Sequence, residues 1–340
     1  MEKNITDKIQ KALSHAGNVC ILTHTNPDGD AIGSALAMFH WLKGKGMHAS
    51  VIVPTSIPDF LAWMPGIKEI VVYEDDKSLS MQHLQEADVL ICVDFNAADR
   101  LDEMEQTFEN SIATKILIDH HIEREHFCDL EYTTTKVSST AELIHQLIVE
   151  CGEKHLLTNE IGSCLYVGIM TDTGSFSYAC NNESTFRAMA DIIALGVDGE
   201  QIHRLIYDTY SEERIRLLGY CLSEKLVVLP EYGTAYIALS AAELERFHSK
   251  NGDTEGVVNY TLGIKGIVFG ALITERSGRI KISLRSKGNF NVNQIAGAHF
   301  NGGGHKNASG GDLYCSFEEA IKLFRSVVPM YGAELKKAIE

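Results

Sequence analysis

The sequence predicts an α/β fold in two parts. An N-terminal, mainly parallel sheet flanked by helices is joined by further helices to a smaller α+β part with a mixed sheet. Two observations carry this expectation. The first half alternates short strands, apolar on both faces, with helical patterns, as a parallel sheet covered by helices requires. Near residue 223 the texture changes to alternating runs separated by tight turns, the mark of hairpins. The resulting boundaries are 1–190 for the first part, 191–222 for a helical connector and 223–340 for the second.

Each element follows in order. MEKNITDKIQKAL is polar and amphipathic and fits a first helix; it lacks the basic start and apolar stretch of a signal peptide. NVCILTH (18–24) reads as a buried strand, and DAIGSALAMFHWLKGKG (30–46) as a helix ended by glycine. ASVIVP (49–54), ADVLICVD (87–94) and TKILIDHH (114–121) are further strands, the last two apolar until a terminal acid. YEDDKS (73–78) reads as a solvated loop, and 138–152 and 159–170 as helices. Residues 183–222 are helical and charge-rich, with too little Gly, Pro or Ser for a flexible linker. KLVVLPEYGTAYIALS (225–240) and GIVFGALITERSGRIKISLRSK (266–287) are hairpins around Pro-Glu-Tyr-Gly and Ser-Gly turns. NGGGHKNASGG (301–311) reads as a glycine loop.

The 340 residues are 45% hydrophobic and 22% charged, enough apolar material for a packed core. The net charge of −16 comes without the basic stripe that displaces counterions from long nucleic acids, so no long duplex DNA is expected as partner. A polyanionic substrate would have to be short or gripped at one end. No run of about 18 apolar residues predicts a membrane span. The eight cysteines include no CxxC pair, and several sit in apolar runs; they read as buried free thiols of a cytoplasmic protein.

Four segments end in acids and histidines: His24-Thr-Asn-Pro-Asp28-Gly-Asp30, Asp94, Asp119-His120-His121 and Asp172. In open parallel sheets, ligands bind beyond the carboxyl ends of the strands. Asp30 alone could cap the helix that follows, and Pro27-Asp28-Gly29 alone could be a turn. Together, His24, Asp28 and Asp30 put an imidazole and two carboxylates on one tight loop. That donor mixture suits Mn²⁺, Mg²⁺, Zn²⁺ or Co²⁺, and the lack of thiolates disfavours structural zinc. Four acids and two imidazoles (His24, Asp28, Asp30, Asp94, His120, Asp172) suffice for two ions about 3.5–4 Å apart, bridged by carboxylates. A one-metal site or a set of capping acids stays open at this point. Gly302, Gly303 and Gly304 could expose backbone N–H groups as an anion nest, with His305, Arg285 and Ser309 as added donors; the alternative is a plain turn and a surface arginine. Phe290 and Phe300 read as core residues in preference to base-stacking ones.

HTNPDGDAIGSALA, the VDF segment with Asp94, ILIDHH and GIMTDTGSF resemble, in order and at normal spacing, the four motifs of the DHH phosphoesterase superfamily. GGGHKNASGG, preceded by KISLRSK, resembles the accessory domain of its DHHA1 branch, and the motifs together span 24–311. The size is most similar to the NrnA type, a nanoRNase and pAp phosphatase group. This resemblance implies a catalytic DHH domain at 1–190 and a substrate-binding DHHA1 domain at 223–340. It places His24, Asp28, Asp94 and Asp172 on one ion and Asp30, Asp94, His120 and Asp172 on the other. Mn²⁺ is the implied metal, with Mg²⁺ or Co²⁺ as alternatives. Asp119 would hold an imidazole, and His121 would sit beside the scissile phosphate. Arg285, Gly303, Gly304, His305 and Ser309 would grip a substrate phosphate. The implied reaction is hydrolysis of short oligoribonucleotides or of 3′-phosphoadenosine 5′-phosphate by metal-activated water. Cleavage of cyclic or linear dinucleotides, exopolyphosphatase or pyrophosphatase activity, and a non-catalytic nucleotide sensor are the rival expectations. The oligomeric state stays open, a homodimer included.

Overall fold

The computed structural model describes residues 3–122, 124–250 and 252–339. The chain divides into two compact units, Met1–Thr209 and Tyr210–Glu340.

The first unit is built on six strands, β1 (Asn18–Leu22), β2 (His48–Val53), β3 (Ile70–Val72), β4 (Val89–Val93), β5 (Thr114–Asp119) and β6 (Leu130–Thr133). All pair in parallel, in the order β3-β2-β1-β4-β5-β6. Successive residues of one strand feed opposite faces. Ile21, Ile91 and Ile116 enter the core on one side, and Cys20, Leu90 and Leu117 the core on the other. This is why the strands read as unbroken apolar runs. The edge strands β3 and β6 go beyond the sequence expectation, because three or four residues show no usable period.

Among the described residues, eight α-helices belong to this unit: α1 (Lys3–Ser14), α2 (Gly29–Gly44), α3 (Lys77–Glu86), α4 (Glu105–Asn110), α5 (Thr140–Glu150), α6 (Asn159–Asp172), α7 (Glu183–Ala194) and α8 (Gly199–Tyr207). The acids of YEDDKS do more than line a loop: Asp76 caps α3, its side chain accepting from Leu79 N. Glycine lets α2, α5 and α6 close tightly. A Cβ added at Gly33 would lie 2.5 Å from the Cys164 carbonyl oxygen, and one at Gly168 would lie 2.5 Å from Ala141 Cβ and 2.7 Å from Asp30 Oδ1.

The second unit carries α9 (Glu212–Tyr220), then β7 (Leu226–Leu229), β8 (Thr234–Leu239), β9 (Phe269–Arg276), β10 (Arg279–Ser286), β11 (Gly302–Gly304) and β12 (Ala308–Leu313). Around the sheet lie α10 (Ala241–Arg246), α11 (Val257–Leu262), α12 (Val292–His299), α13 (Phe317–Val327) and α14 (Gly332–Ile339). The sheet order is β11-β12-β10-β9-β8-β7, antiparallel except for the β8–β9 pair, so it is mixed. Both expected hairpins are present. The glycine loop is a correction: Gly302–Gly304 is an edge strand paired with β12. A Cβ at Gly302 would lie 1.8 Å from the Gly310 carbonyl oxygen, and one at Gly311 would lie 2.1 Å from that of Phe300. The glycines thus permit close backbone approach in strands, where glycine ordinarily argues against a strand. Phe300 and Phe290 are core residues, 0% and 4% exposed.

No disulfide forms among the described residues, and Cys20, Cys92, Cys164, Cys180 and Cys221 are buried. Cys315 departs from the expectation of buried thiols and is exposed. Among the described residues, no helix is long and apolar enough to cross a membrane.

Candidate metal centre

The strand order of the first unit reverses beside β1: the chain builds outward through β2 and β3, then returns to place β4 on the other flank of β1. Such a switch point opens a crevice at the carboxyl ends of the two strands. His24 follows β1 and Asp94 follows β4, so the crevice is lined from both sides. β5, next to β4, ends on Asp119 and delivers His120 and His121. The N-terminus of α2 adds Asp28 and Asp30, and the last residue of α6 is Asp172.

The side chains converge. His24 Nε2 lies 3.7 Å from Asp94 Oδ2. His120 Nε2 lies 3.4 Å from Asp172 Oδ2, 3.7 Å from Asp94 Oδ1 and 3.9 Å from Asp30 Oδ2. His121 Nδ1 lies 3.8 Å from Asp94 Oδ1 and 2.6 Å from Asp119 Oδ1. Among the described residues of the first unit, three groupings bring their donor atoms within 4.8 Å of one another: His24 with Asp28 and Asp94, Asp30 with His120 and Asp172, and Asp94 with Asp119 and His121.

Local structure aims each group. Asp28, not Asp30, caps α2, its Oδ1 accepting from the N–H groups of Asp30 and Ala31. Asp30 instead faces the start of α5, where Thr140 N donates to Oδ2 at 2.7 Å and Ala141 N donates to Oδ1 at 2.9 Å. Asp94 has φ +67°, a left-handed conformation that turns the chain sharply at the end of β4 and that Asp tolerates better than most residues. The Thr140 hydroxyl donates to its Oδ1 at 2.8 Å. Pairing of His24 Nδ1 with the Thr25 carbonyl at 2.8 Å leaves Nε2 toward Asp94. Pairing of His121 Nδ1 with Asp119 likewise fixes that ring.

Electrostatics show what the crevice lacks. Burial, then the charge of Asp28, pushes the Asp30 carboxyl up to about 7, although the N–H groups of Ala141 and Thr140 pull it back. Burial followed by the charges of Asp30, Asp28, Asp172 and Asp119 lifts Asp94 well above the carboxylate range. Asp172 is lifted by burial, Asp30 and Asp28. Burial also lowers His24, which favours the neutral imidazole that a metal would need. Oxygen and imidazole donors, no thiolate and an excess of uncompensated acids fit divalent cations.

The candidate phosphate residues of the second unit lie on neighbouring strands. The register sets Gly304 opposite Ser309, Leu284 opposite Ser309 and Arg285 opposite Ala308. Arg285 and Ser309 therefore project to opposite faces of the sheet. Ser309 is 5% exposed and donates to the His305 carbonyl at 2.7 Å. Arg285 Nη1 donates to the Leu284 carbonyl at 3.0 Å. His305 opens the turn between β11 and β12, its N–H bonded to the Ala308 carbonyl. Gly303 and Gly304 lie on β11, at the sheet edge.

Thr140 escaped the sequence reading. Ser139-x-x-Glu142 marks a helix start, and Ser139 does cap α5. Nothing in that signature says which acids the helix start meets.

The DHH family, N-terminal domain, matches residues 18–169, and the DHHA1 domain matches residues 234–329. The bifunctional oligoribonuclease and PAP phosphatase NrnA of Thermus thermophilus is 28% identical over 322 residues, 93% of this chain and 92% of that protein. The cyclic-di-AMP phosphodiesterase GdpP of Bacillus subtilis is 27% identical over 342 residues, 96% of this chain but 50% of that protein. A crystal structure of an exopolyphosphatase-related protein from Bacteroides fragilis matches with a TM-score of 0.96 at 42% identity, covering 98% of both chains. Crevice, sheet order and both domain matches agree, and the chain belongs to the DHH family of phosphoesterases, in the branch that carries a DHHA1 domain.

Proposed function

We propose that this phosphoesterase hydrolyses short oligoribonucleotides and 3′-phosphoadenosine 5′-phosphate with two divalent ions, Mn²⁺ foremost. The observation that carries the reading is the convergence of four aspartates and two histidines on the β1–β4 crevice. The substrate class is supported by the NrnA relative, which matches over nearly the whole of both chains, whereas the cyclic-di-AMP phosphodiesterase matches over half its length.

In this reading His24, Asp28, Asp94 and Asp172 would hold one ion, and Asp30, Asp94, His120 and Asp172 the other. Bound divalent ions lower the pKa of water and offset charge on the phosphoryl oxygens. The chain's own groups do the rest. Asp94 and Asp172, the two carboxylates common to both sets, would bridge the ions. Asp119 accepts from His121 Nδ1 and so fixes the ring that would orient the scissile phosphate or hand a proton to the leaving oxygen. The proposed domain roles are catalysis in 1–190 and substrate grip in 223–340, with Arg285, Gly303, Gly304, His305 and Ser309 as the phosphate-binding candidates.

The test is a panel of pAp, pApA, cyclic dinucleotides, pyrophosphate and polyphosphate with Mn²⁺, together with metal analysis. Preferred turnover of pAp and pApA is the expected result. Preference for cyclic dinucleotides or polyphosphate would reassign the substrate. Metal and nucleotide binding without hydrolysis of any member would replace the enzyme by a nucleotide sensor.

A further inference from the structure

We propose that Thr140 is a positioning residue for the divalent-ion site, holding Asp94 and Asp30 in the orientations that ion binding needs. The inference rests on the two-ion reading above and adds a residue that lies outside all four sequence motifs.

Three hydrogen bonds carry it. Thr140 Oγ1 donates to Asp94 Oδ1 at 2.8 Å, Thr140 N donates to Asp30 Oδ2 at 2.7 Å, and Ala141 N donates to Asp30 Oδ1 at 2.9 Å. All four residues are buried, Thr140 and Ala141 completely. A carboxylate offers about four lone-pair directions. Asp94 receives Thr140 on Oδ1, and Asp30 receives Thr140 N on Oδ2 and both Ala141 N and the Ser34 hydroxyl (3.3 Å) on Oδ1. Each group is thus oriented with acceptor capacity to spare. Both carboxylates also face imidazoles: Asp94 Oδ2 lies 3.7 Å from His24 Nε2, and Asp30 Oδ2 lies 3.9 Å from His120 Nε2. The first N–H groups of a helix have no partner inside the helix, and the helix dipole favours negative charge there. Two acids of the crevice therefore share one helix start as their anchor.

That anchor is itself fixed. Ser139 caps α5 by accepting from Glu142 N. Glu142, 0% exposed, accepts from Ser138 N at 2.9 Å, Ser138 Oγ at 2.7 Å and Gln146 Nε2 at 3.1 Å. Two further donors come from α7, Ser184 Oγ at 2.6 Å and Thr185 Oγ1 at 2.7 Å. The start of α5 cannot slide without breaking this buried network. Close packing against Gly168 of α6 restrains it from another side. A rigid donor aimed at a ligating carboxylate raises metal affinity by removing orientations that cannot bind.

The rival account is that Thr140 merely fills space at the first turn of α5. Valine has nearly the same shape and keeps the backbone N–H to Asp30, but it cannot donate to Asp94. Serine keeps the hydroxyl and loses only a methyl group. Metal-free full-length wild type, Thr140→Val and Thr140→Ser are titrated with Mn²⁺ by calorimetry, and each is melted without metal. The expected result is a ~10–100-fold weaker Mn²⁺ affinity in Thr140→Val, with Thr140→Ser close to wild type. Wild-type affinity in Thr140→Val overturns the proposal, as does equal weakening in Val and Ser. Should Thr140→Val fail to fold, Thr140→Ala against Thr140→Ser makes the same comparison. A wild type that binds no Mn²⁺ sinks the two-ion reading, and the role of Thr140 falls with it; the titration thus separates the two failures.

Discussion

Glu142 and Asp94 are both buried acids, 0% and 3% exposed, and they flank Thr140 in space, yet their surroundings are opposite in kind. Glu142 receives hydrogen bonds from Ser138, Gln146, Ser184 and Thr185, so its charge is met within the chain. Asp94 receives the Thr140 hydroxyl, but burial lifts its pKa and the facing charges of Asp30, Asp28, Asp172 and Asp119 lift it further. One acid is complete as folded and serves stability. The other, in the two-ion reading proposed above, is completed only by cations from outside and serves function, at a cost to the metal-free fold.

The same chemical change should therefore act in opposite ways at the two sites. Asp94→Asn removes the charge proposed to bridge the ions and is expected to lower kcat on pAp or pApA by ~10³-fold or more in a steady-state assay. Glu142→Gln replaces an acceptor by an amide whose N–H₂ must meet N–H and O–H donors, and should cost about 2–3 kcal/mol of stability in denaturant melts. Gly168→Ala drives a methyl against Ala141 and Asp30, so about 1–3 kcal/mol should be lost along with Mn²⁺ affinity. Asp94→Asn should also stabilise the metal-free protein, by about 1 kcal/mol, because it relieves repulsion and Asn accepts a left-handed backbone. A metal-free Asp94→Asn protein that melts below wild type would erase the contrast with Glu142.

The smallest expected effect is in pH. The folded pKa of Asp30, about 7, stands above its unfolded value near 3.9. The folded state then binds the extra proton between those values, so stability declines as pH rises toward about 7. The melting temperature of chelator-treated protein should fall by about 2–4 °C from pH 6 to pH 8. Excess Mn²⁺ should oppose that fall. A melting temperature that rises over this range would show that the acids are not strained by burial.

Much was legible in the chain itself. The apolar runs at 18–24, 49–54, 87–94 and 114–121 announced parallel strands because both faces of each had to be buried. The acids and histidines stood at their ends because the carboxyl ends of parallel strands open onto the crevice, where polar side chains, although buried, can meet one another. β3 and β6 were too short to show a period, and β11 was hidden by glycines that normally break strands. The donor set of the candidate site was legible because the atoms that could hold a metal are written in residue identity.

Orientation was not. Asp28 and Asp30 are two residues apart, yet one caps its own helix and the other meets the start of α5, 110 residues away in sequence. Thr140 carries no sign of reaching Asp94, and Ser309 none of turning from Arg285 to the opposite face. The sequence by itself determined which atoms are available and at which strand ends they emerge, since those follow from side-chain chemistry and hydrophobic period. The tertiary structure alone decided which acid meets which helix and what each carboxylate lacks, since these depend on long-range packing that leaves no local pattern.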